Sequence, residues 1–398
     1  MLPCQGDDRP KLYKILYRGC NRTMVCEYFA TVARGLEAIA ATEIESLGGK
    51  NLRTEVGGVG FEGDRALLYR VNLRSRLAFR ILMPIAEFPC RDRAMLYQEV
   101  QRIDWSQYLT PDRTLAVNAT GGNDRLNHTH YTALEVKNAI VDAQREEFGK
   151  RSSVDITDPD LLVNIYVRGD RAVLSLDSSG TSLHRRGYRP AVGLAPLKET
   201  LAAALLDMAD YRGDVAFLDP LCGSGTLPLE ASLKALNIAP GLFRDRFAFM
   251  KWTDFDRELW QQLKQTALAE QKTALPAPIW GSDRDPKVVS HALENARNCG
   301  VSGKVRFWHS ELEDIEAPSD RGIIICNPPY GERLGKVREL GELYRKLGDV
   351  FKQRFKGWKA YVLTGNKKLA KQIGLRSSRR IPVYNGALPC VFSEYELY

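Results

Sequence analysis

No CxxC pair occurs among the eight cysteines, at positions 4, 20, 26, 90, 222, 299, 326 and 390, so neither a metal site nor a disulfide framework is indicated. No apolar run is long enough to span a bilayer, and the N-terminus lacks the apolar stretch of a signal peptide. Long internal repeats and low-complexity tracts are missing too, which argues against a solenoid. Acids are scarce in one region: from Arg333 to Arg380 three of them (Glu339, Glu342, Asp349) face fifteen Lys or Arg, a local +12 in a chain whose total is +8. A surface so one-sided suits a polyanion, above all a nucleic acid. It is also what a solvated helix face carries, and Arg338 to Phe355 shows amphipathic spacing. What remains is a chain of 398 residues, 44% apolar, able to bury a large core and to divide into two or three domains.

The most informative stretch is Asn327-Pro328-Pro329-Tyr330, which follows the apolar run Gly322 to Cys326 and so falls at the carboxyl end of a buried strand. There the Asn327 side-chain carbonyl and the Pro328 backbone carbonyl can accept both hydrogens of a planar amino group, while Tyr330 offers a ring for a base to stack on. That arrangement suggests amine methylation, and the same four residues also make a plain tight turn. About a hundred residues upstream, Val215 to Asp219 reads as a strand leading into Pro220-Leu221-Cys222-Gly223-Ser224-Gly225-Thr226 and a helix through Ala235. The glycines permit close backbone approach and the helix N-terminus presents free N–H groups, as a nucleotide-like ligand requires; an ordinary βα turn looks the same. It is neither a P-loop, for no Gly-Lys-Ser/Thr follows, nor a full dinucleotide fingerprint, for the third glycine is missing.

Further on, Pro278 to Ser282 reads as a strand ending at Asp283, whose carboxylate is placed to hold ribose hydroxyls. Asp285 before Pro286 reads as an N-cap for a helix from Lys287 to Cys299. Val305 to His309 is another strand, near Glu311, whose carboxylate either accepts from an adenine amino group or is solvated.

In this order and spacing the three motifs resemble class I S-adenosylmethionine-dependent methyltransferases that act on amines. Leu183 to Arg189 and Ala195 to Ala203 narrow the resemblance to RNA guanine-N2 methyltransferases with an N-terminal THUMP domain, particularly the L module of bacterial 23S rRNA methyltransferase K/L. The resemblance covers roughly residues 27 to 398 and departs from the pattern at 311, Glu where many relatives carry Asp. It implies an α/β, Rossmann-like, doubly wound sheet with a C-terminal antiparallel strand, preceded by an α+β ferredoxin-like and THUMP region. It also implies S-adenosyl-L-methionine as cofactor, held by Asp219, Pro220, Cys222, Gly223, Ser224, Gly225, Thr226, Asp283, Glu311 and Asn327, with Asn327 to Tyr330 at the reacting amine. The implied partner is RNA, 23S rRNA or a large-subunit precursor. A tRNA guanine-N2 enzyme, an N6-adenine methyltransferase and a catalytically silent assembly factor are the alternatives left open.

The expected divisions are an N-terminal extension over 1–26, a ferredoxin-like plus THUMP region over 27–180, a basic linker with the start of the methyltransferase over 181–200, and the methyltransferase domain over 201–398. Charge density marks His184, Arg185, Arg186 and Arg189 in the linker, and Arg333 and Lys336 after the motif, as RNA contacts; a solvated connector is the other reading. His184 has no neighbouring pattern that would make it a ligand or a base. Cys222 and Cys326 lie in or beside the ligand loops, where oxidation would be disruptive, so a reducing cytoplasm fits. Neither metal nor membrane is expected.

Overall fold

Alternating and continuous apolar runs sort the chain into two sheets. The structure, a computed structural model, describes residues 14–15, 25–189, 197–330 and 334–398, with backbone alone for 14–15 and 334–337. The first half contributes β1 (Lys14–Ile15), β2 (Cys26–Thr31), α1 (Glu37–Ser46), β3 (Lys50–Glu55), β4 (Gly58–Gly63), α2 (Arg65–Arg74), β5 (Arg80–Pro89), α3 (Arg93–Gln101), β6 (Thr114–Gly122), α4 (Thr129–Phe148), β7 (Ser153–Val154), β8 (Leu161–Arg168) and β9 (Arg171–Asp177). Side-chain caps fix the helix starts: Asp64 accepts from the Leu67 N–H and Asp92 from the Met95 N–H. Among the described residues these strands form one mixed sheet in the order β3-β4-β2-β5-β9-β8-β6-β7, with β1 against β5. The strands before and after β5 are therefore continuous through the β5–β9 ladder.

The second half follows as α5 (Glu199–Met208), β10 (Ala216–Asp219), α6 (Thr226–Ala235), α7 (Arg257–Ala269), β11 (Ile279–Asp283), α8 (Pro286–Asn298), β12 (Val305–His309), β13 (Gly322–Cys326), α9 (Leu334–Arg354), β14 (Lys359–Thr364), α10 (Lys367–Gln372), β15 (Arg379–Asn385) and β16 (Leu388–Glu396). Its sheet has the order β12-β11-β10-β13-β14-β16-β15, parallel from β12 through β14, with β16 antiparallel to β14 and to β15. All five residues of β13 are buried, as a central parallel strand covered on both faces requires. Strand order reverses between β10 and β13, so the ends of these two strands open the crevice in which doubly wound folds bind ligands.

Residues 239 to 272, between α6 and β11, carry no motif, yet they hold the halves together. Phe247, Phe249 and Trp260 lie in the core of the first half, Phe249 stacking on Tyr69 at 4.4 Å between ring centroids. Each such side chain stabilises by roughly 1.5–3 kcal/mol on burial. The α2 helix supplies charged ties: Arg65 pairs with Asp254 and Arg74 with Glu270. Arg186 completes the joint from the linker. Its fully buried guanidinium donates to the carbonyls of Leu183, Ser75 and Arg76, and stands 3.5 Å from Glu230 on α6.

Removing one partner of such a buried set leaves the other charge uncompensated, which costs about 3–5 kcal/mol. Arg186→Ala is therefore expected to lower stability by that order, read as a shift of the urea unfolding midpoint; a loss below about 1 kcal/mol, the scale of a solvated pair, would contradict this role.

Candidate functional site

The candidate site is assembled at the carboxyl ends of β10, β11 and β13. Asp219, the last residue of β10, is buried, and its carboxylate accepts from the Leu221 N–H at 3.1 Å. Burial pushes its pKa well above the usual carboxylate range, and the neighbouring Asp283 carboxylate adds to the rise. Asp283, the last residue of β11, accepts from the Gly223 N–H at 2.9 Å and from the Asp285 N–H at 3.0 Å, so one side chain fixes both loops. Among the described residues no Lys or Arg forms an ion pair with either carboxylate. The raised pKa favours a neutral Asp219 that shapes the loop, and a cation brought into the crevice would pull that pKa back down.

Gly223 and Gly225 adopt φ of 52° and 84°, and nothing lies within 4 Å of where a Cβ on Gly223 would stand, so the loop face there is open. Thr226 begins α6, and its hydroxyl accepts from Arg189. Ser224 and Pro220 lie in the same turn, where the Ser224 carbonyl accepts from Asn295. Cys222 is buried, its thiol pKa pushed up by that burial, and its backbone N–H donates to the Ser282 carbonyl at 2.9 Å. The Ser282 hydroxyl is itself buried without a partner.

At the end of β13 the Asn327 side-chain oxygen is buried and accepts no hydrogen bond. Such an acceptor costs about 1–3 kcal/mol unless something supplies a donor. Pro328 is buried and Pro329 exposed. Tyr330 is half-buried; its hydroxyl accepts from Asn385 at 2.8 Å, and burial raises its pKa to about 12, so it stays protonated. Asn385 ends β15 at the β15–β16 hairpin. The Asn385-Gly386 pair is a hairpin signal in sequence, but the long-range contact with Tyr330 has none, and Ser282 likewise went unnoticed. Glu311, just past β12, is exposed.

The linker is corrected by the structure. Arg186 is buried in the interdomain joint and has no face for a phosphate. The Arg189 side chain is 7% exposed, engaged with Thr226 and with Glu199 at 3.6 Å, and is likewise unavailable. His184 is half-buried, with Nδ1 2.8 Å from the Ser182 hydroxyl; burial first, then the surrounding cations led by Lys198, lower its pKa to about 4. It is neutral at physiological pH. Arg185 alone of the four presents an exposed side chain. Charge density pointed outward here because sequence cannot show that a basic linker threads between two domains. Arg333 lies outside the described residues, and Lys336 is placed on α9 by its backbone alone. Beyond it, α9 buries Tyr344, Leu347 and Phe351 while Arg345 and Lys352 face solvent together with Glu339, Glu342 and Asp349, so the helix is amphipathic with a mixed-charge outer face, and the excess of basic residues lies after it.

Five cysteines (90, 222, 299, 326 and 390) are free, whereas Cys26 is disulfide-bonded, against the expectation from spacing. Among the described residues no cluster of His, Cys, Asp and Glu could hold a metal, and no helix is long and apolar enough to cross a membrane.

Comparison with known proteins matches this geometry. Residues 186–394 match the family model of the RMKL-like methyltransferase domain, 90–177 the THUMP domain and 27–82 the RlmL ferredoxin-like domain. A putative RNA methyltransferase of Synechocystis sp. is 55% identical over 93% of this chain and 97% of its own length. Ribosomal RNA large subunit methyltransferase K/L of Syntrophotalea carbinolica is 44% identical over 93% of this chain, which spans 53% of that protein. Among solved structures, SMU.472, a putative methyltransferase complexed with SAH, superposes with a TM-score of 0.84 at 31% identity, covering 94% of this chain and 98% of that one.

The depressed pKa of His184 makes stability depend on pH. As pH falls below 6.5, the ordinary value, the unfolded chain takes up the proton first, so this contribution is lost between about 6.5 and 4. His184→Gln is expected to show a smaller drop in thermal midpoint from pH 7 to pH 5 than the parent; equal drops would refute the burial of a neutral imidazole.

Proposed function

Since the chain belongs to the RMKL-like methyltransferase family, with a THUMP and a ferredoxin-like domain ahead of its catalytic sheet, we propose that it methylates the exocyclic N2 of a guanine in 23S rRNA. The family's use of S-adenosyl-L-methionine agrees with the site, where the loop is open at Gly223 and the Asp283 carboxylate, with no Lys or Arg paired to it among the described residues, stands at the end of β11. When bound, that cofactor supplies a methyl group on a sulfonium whose sulfur is already a good leaving group. Asp283 would hold it directly while fixing the Gly223 turn, and Asp219 and the N-terminus of α6 would line the same crevice.

The observation that carries the reading is the unsatisfied Asn327 oxygen at the end of β13. In the proposed reaction the target guanine leaves its stack and enters the crevice, a step that base-modifying enzymes share. Asn327 Oδ1 and the Pro328 carbonyl accept from the amino group. Guanine N2 is a weak nucleophile because its lone pair is delocalised into the ring. Acceptors on its two hydrogens favour the pyramidal geometry of attack and gain strength as positive charge develops on nitrogen. Alignment of nitrogen, methyl carbon and sulfur supplies much of the remaining acceleration. The Tyr330 ring would carry the base, and its hydroxyl, kept protonated, serves no proton transfer. The surplus proton passes to water.

RNA would dock on the first half, residues 27–180, and on the basic segment that follows α9; Arg185, exposed in the linker, is the one of the four linker residues left free for such a contact. This reading sets the enzyme in the cytoplasm, with the ribosomal RNA.

Asn327→Ala is expected to leave S-adenosyl-L-methionine affinity unchanged by calorimetry and to lower turnover by about a hundredfold or more, the scale of losing one oriented acceptor. Near-normal turnover would sink the assignment. Asp283→Ala should instead weaken cofactor binding; an unaltered calorimetric affinity would remove it from the cofactor site.

A further inference from the structure

A cleft of about 170 Å³ lies where the ferredoxin-like domain, the start of the methyltransferase and the β15–β16 hairpin meet, and nothing in the reaction described above uses it. Arg34 sits with its guanidinium 5.3 Å above the Tyr384 ring, and Lys198 with its ammonium 5.2 Å above Phe79. Among the described residues neither cation forms an ion pair with a carboxylate. Thr200, a residue 1% exposed, is among the residues that line the cleft, and its buried hydroxyl has no hydrogen-bond partner, whereas Arg34 and Lys198 are exposed. A buried hydroxyl left unsatisfied beside two unpaired cations is an arrangement short of an anion. Burial is the first cause of the low pKa of His184, and Lys198 leads the cations that add to it.

Size restricts what enters. The volume falls below the roughly 300 Å³ of the smallest ligand pockets, which suits a phosphate group and excludes a second nucleoside. Position then selects the source. One wall of the cleft is Asn385, whose amide donates to the Tyr330 hydroxyl at 2.8 Å, so the cleft is one side chain away from the motif that receives the base. The opposite wall belongs to the RNA-docking half. A strand whose base is extruded over Tyr330 has its own backbone within reach.

We propose that this cleft is a phosphate subsite that grips the RNA backbone next to the extruded guanine. Arg34 and Lys198 supply charge, and the Thr200 hydroxyl donates to a phosphate oxygen. The aromatic rings beneath the two cations hold them in place without neutralising them. The proposal rests on the RNA-methylating reading of the site, and it adds a specific consequence: the backbone held here orients the base, while the cofactor loops are untouched.

The test is equilibrium binding of the full chain to a 23S rRNA fragment across a salt series, alongside calorimetry with S-adenosyl-L-methionine. Arg34→Ala and Lys198→Ala should each weaken RNA binding several-fold and lower the log–log salt slope by about one, the value for one lost phosphate contact. Thr200→Val, which keeps the volume and removes the donor, should weaken binding with the slope unchanged. Cofactor affinity should be unaltered in all three. Lys304→Ala, an exposed cation elsewhere on the methyltransferase, serves as the charge control. If Arg34→Ala and Lys198→Ala match that control in affinity and slope, the subsite is overturned. It is equally overturned if millimolar inorganic phosphate inhibits the parent but not the variants while RNA affinity stays the same, since the cleft would then be a site for a free anion. Because the readout is binding, a failure to find any methylated nucleoside would strike the functional reading alone and leave this test standing.

Discussion

The fully buried Arg186 guanidinium is the joint on which the geometry of the molecule turns. A charge of this kind is tolerated only when its surroundings are arranged around it, and here three carbonyls from the first half and the linker meet it with Glu230 of α6 nearby. Its partners cannot shift independently. The helix that follows the glycine turn is thereby tied to the end of α2 and to the start of the linker. The aromatic insertion of residues 239 to 272 reinforces the tie with apolar contact, so the two sheets form one unit. Any polyanion held by the first half would meet the carboxyl ends of β10 and β13 at a fixed distance.

Those strand ends carry two of the polar atoms that the fold leaves buried without partners. The Asn327 oxygen and the Ser282 hydroxyl are buried without partners, and Asp219 and Asp283 accept from backbone N–H groups, with no Lys or Arg paired to either among the described residues. Elsewhere buried polar groups are mostly paired, as stability demands. A fold that tolerates several such costs around one crevice is poised for a ligand that relieves them. In the proposed reaction the cofactor relieves the carboxylates and the target amine relieves Asn327. The β15–β16 hairpin links this crevice to the interdomain cleft through Asn385, so the antiparallel end of the sheet is a wall of the site as well as a closing edge.

Much of this was legible in the sequence because local rules governed it. The apolar run Gly322 to Cys326, the strand Val305 to His309 and the Asp285-Pro286 helix start stand in the structure where the pattern put them. The β8–β9 hairpin turns at Gly169-Asp170, a pair of turn-forming residues. What escaped depended on tertiary contact. The aromatic insertion has two short 3-10 turns ahead of α7, and nothing in its spacing tells that its rings enter the core of the first half. The basic linker looked like an RNA surface because charge reads as exposure until a burial partner such as Glu230 is known. Asn385 and Thr200 gain their meaning from neighbours 55 or more residues away or from the second domain, and no spacing rule reaches that far.

The most direct measurement is methyl transfer from labelled S-adenosyl-L-methionine to unmodified 23S rRNA, with tRNA and DNA in parallel, followed by digestion and identification of the methylated nucleoside. The account predicts N2-methylguanosine from 23S rRNA alone. N6-methyladenosine, or N2-methylguanosine from tRNA in place of rRNA, would contradict it.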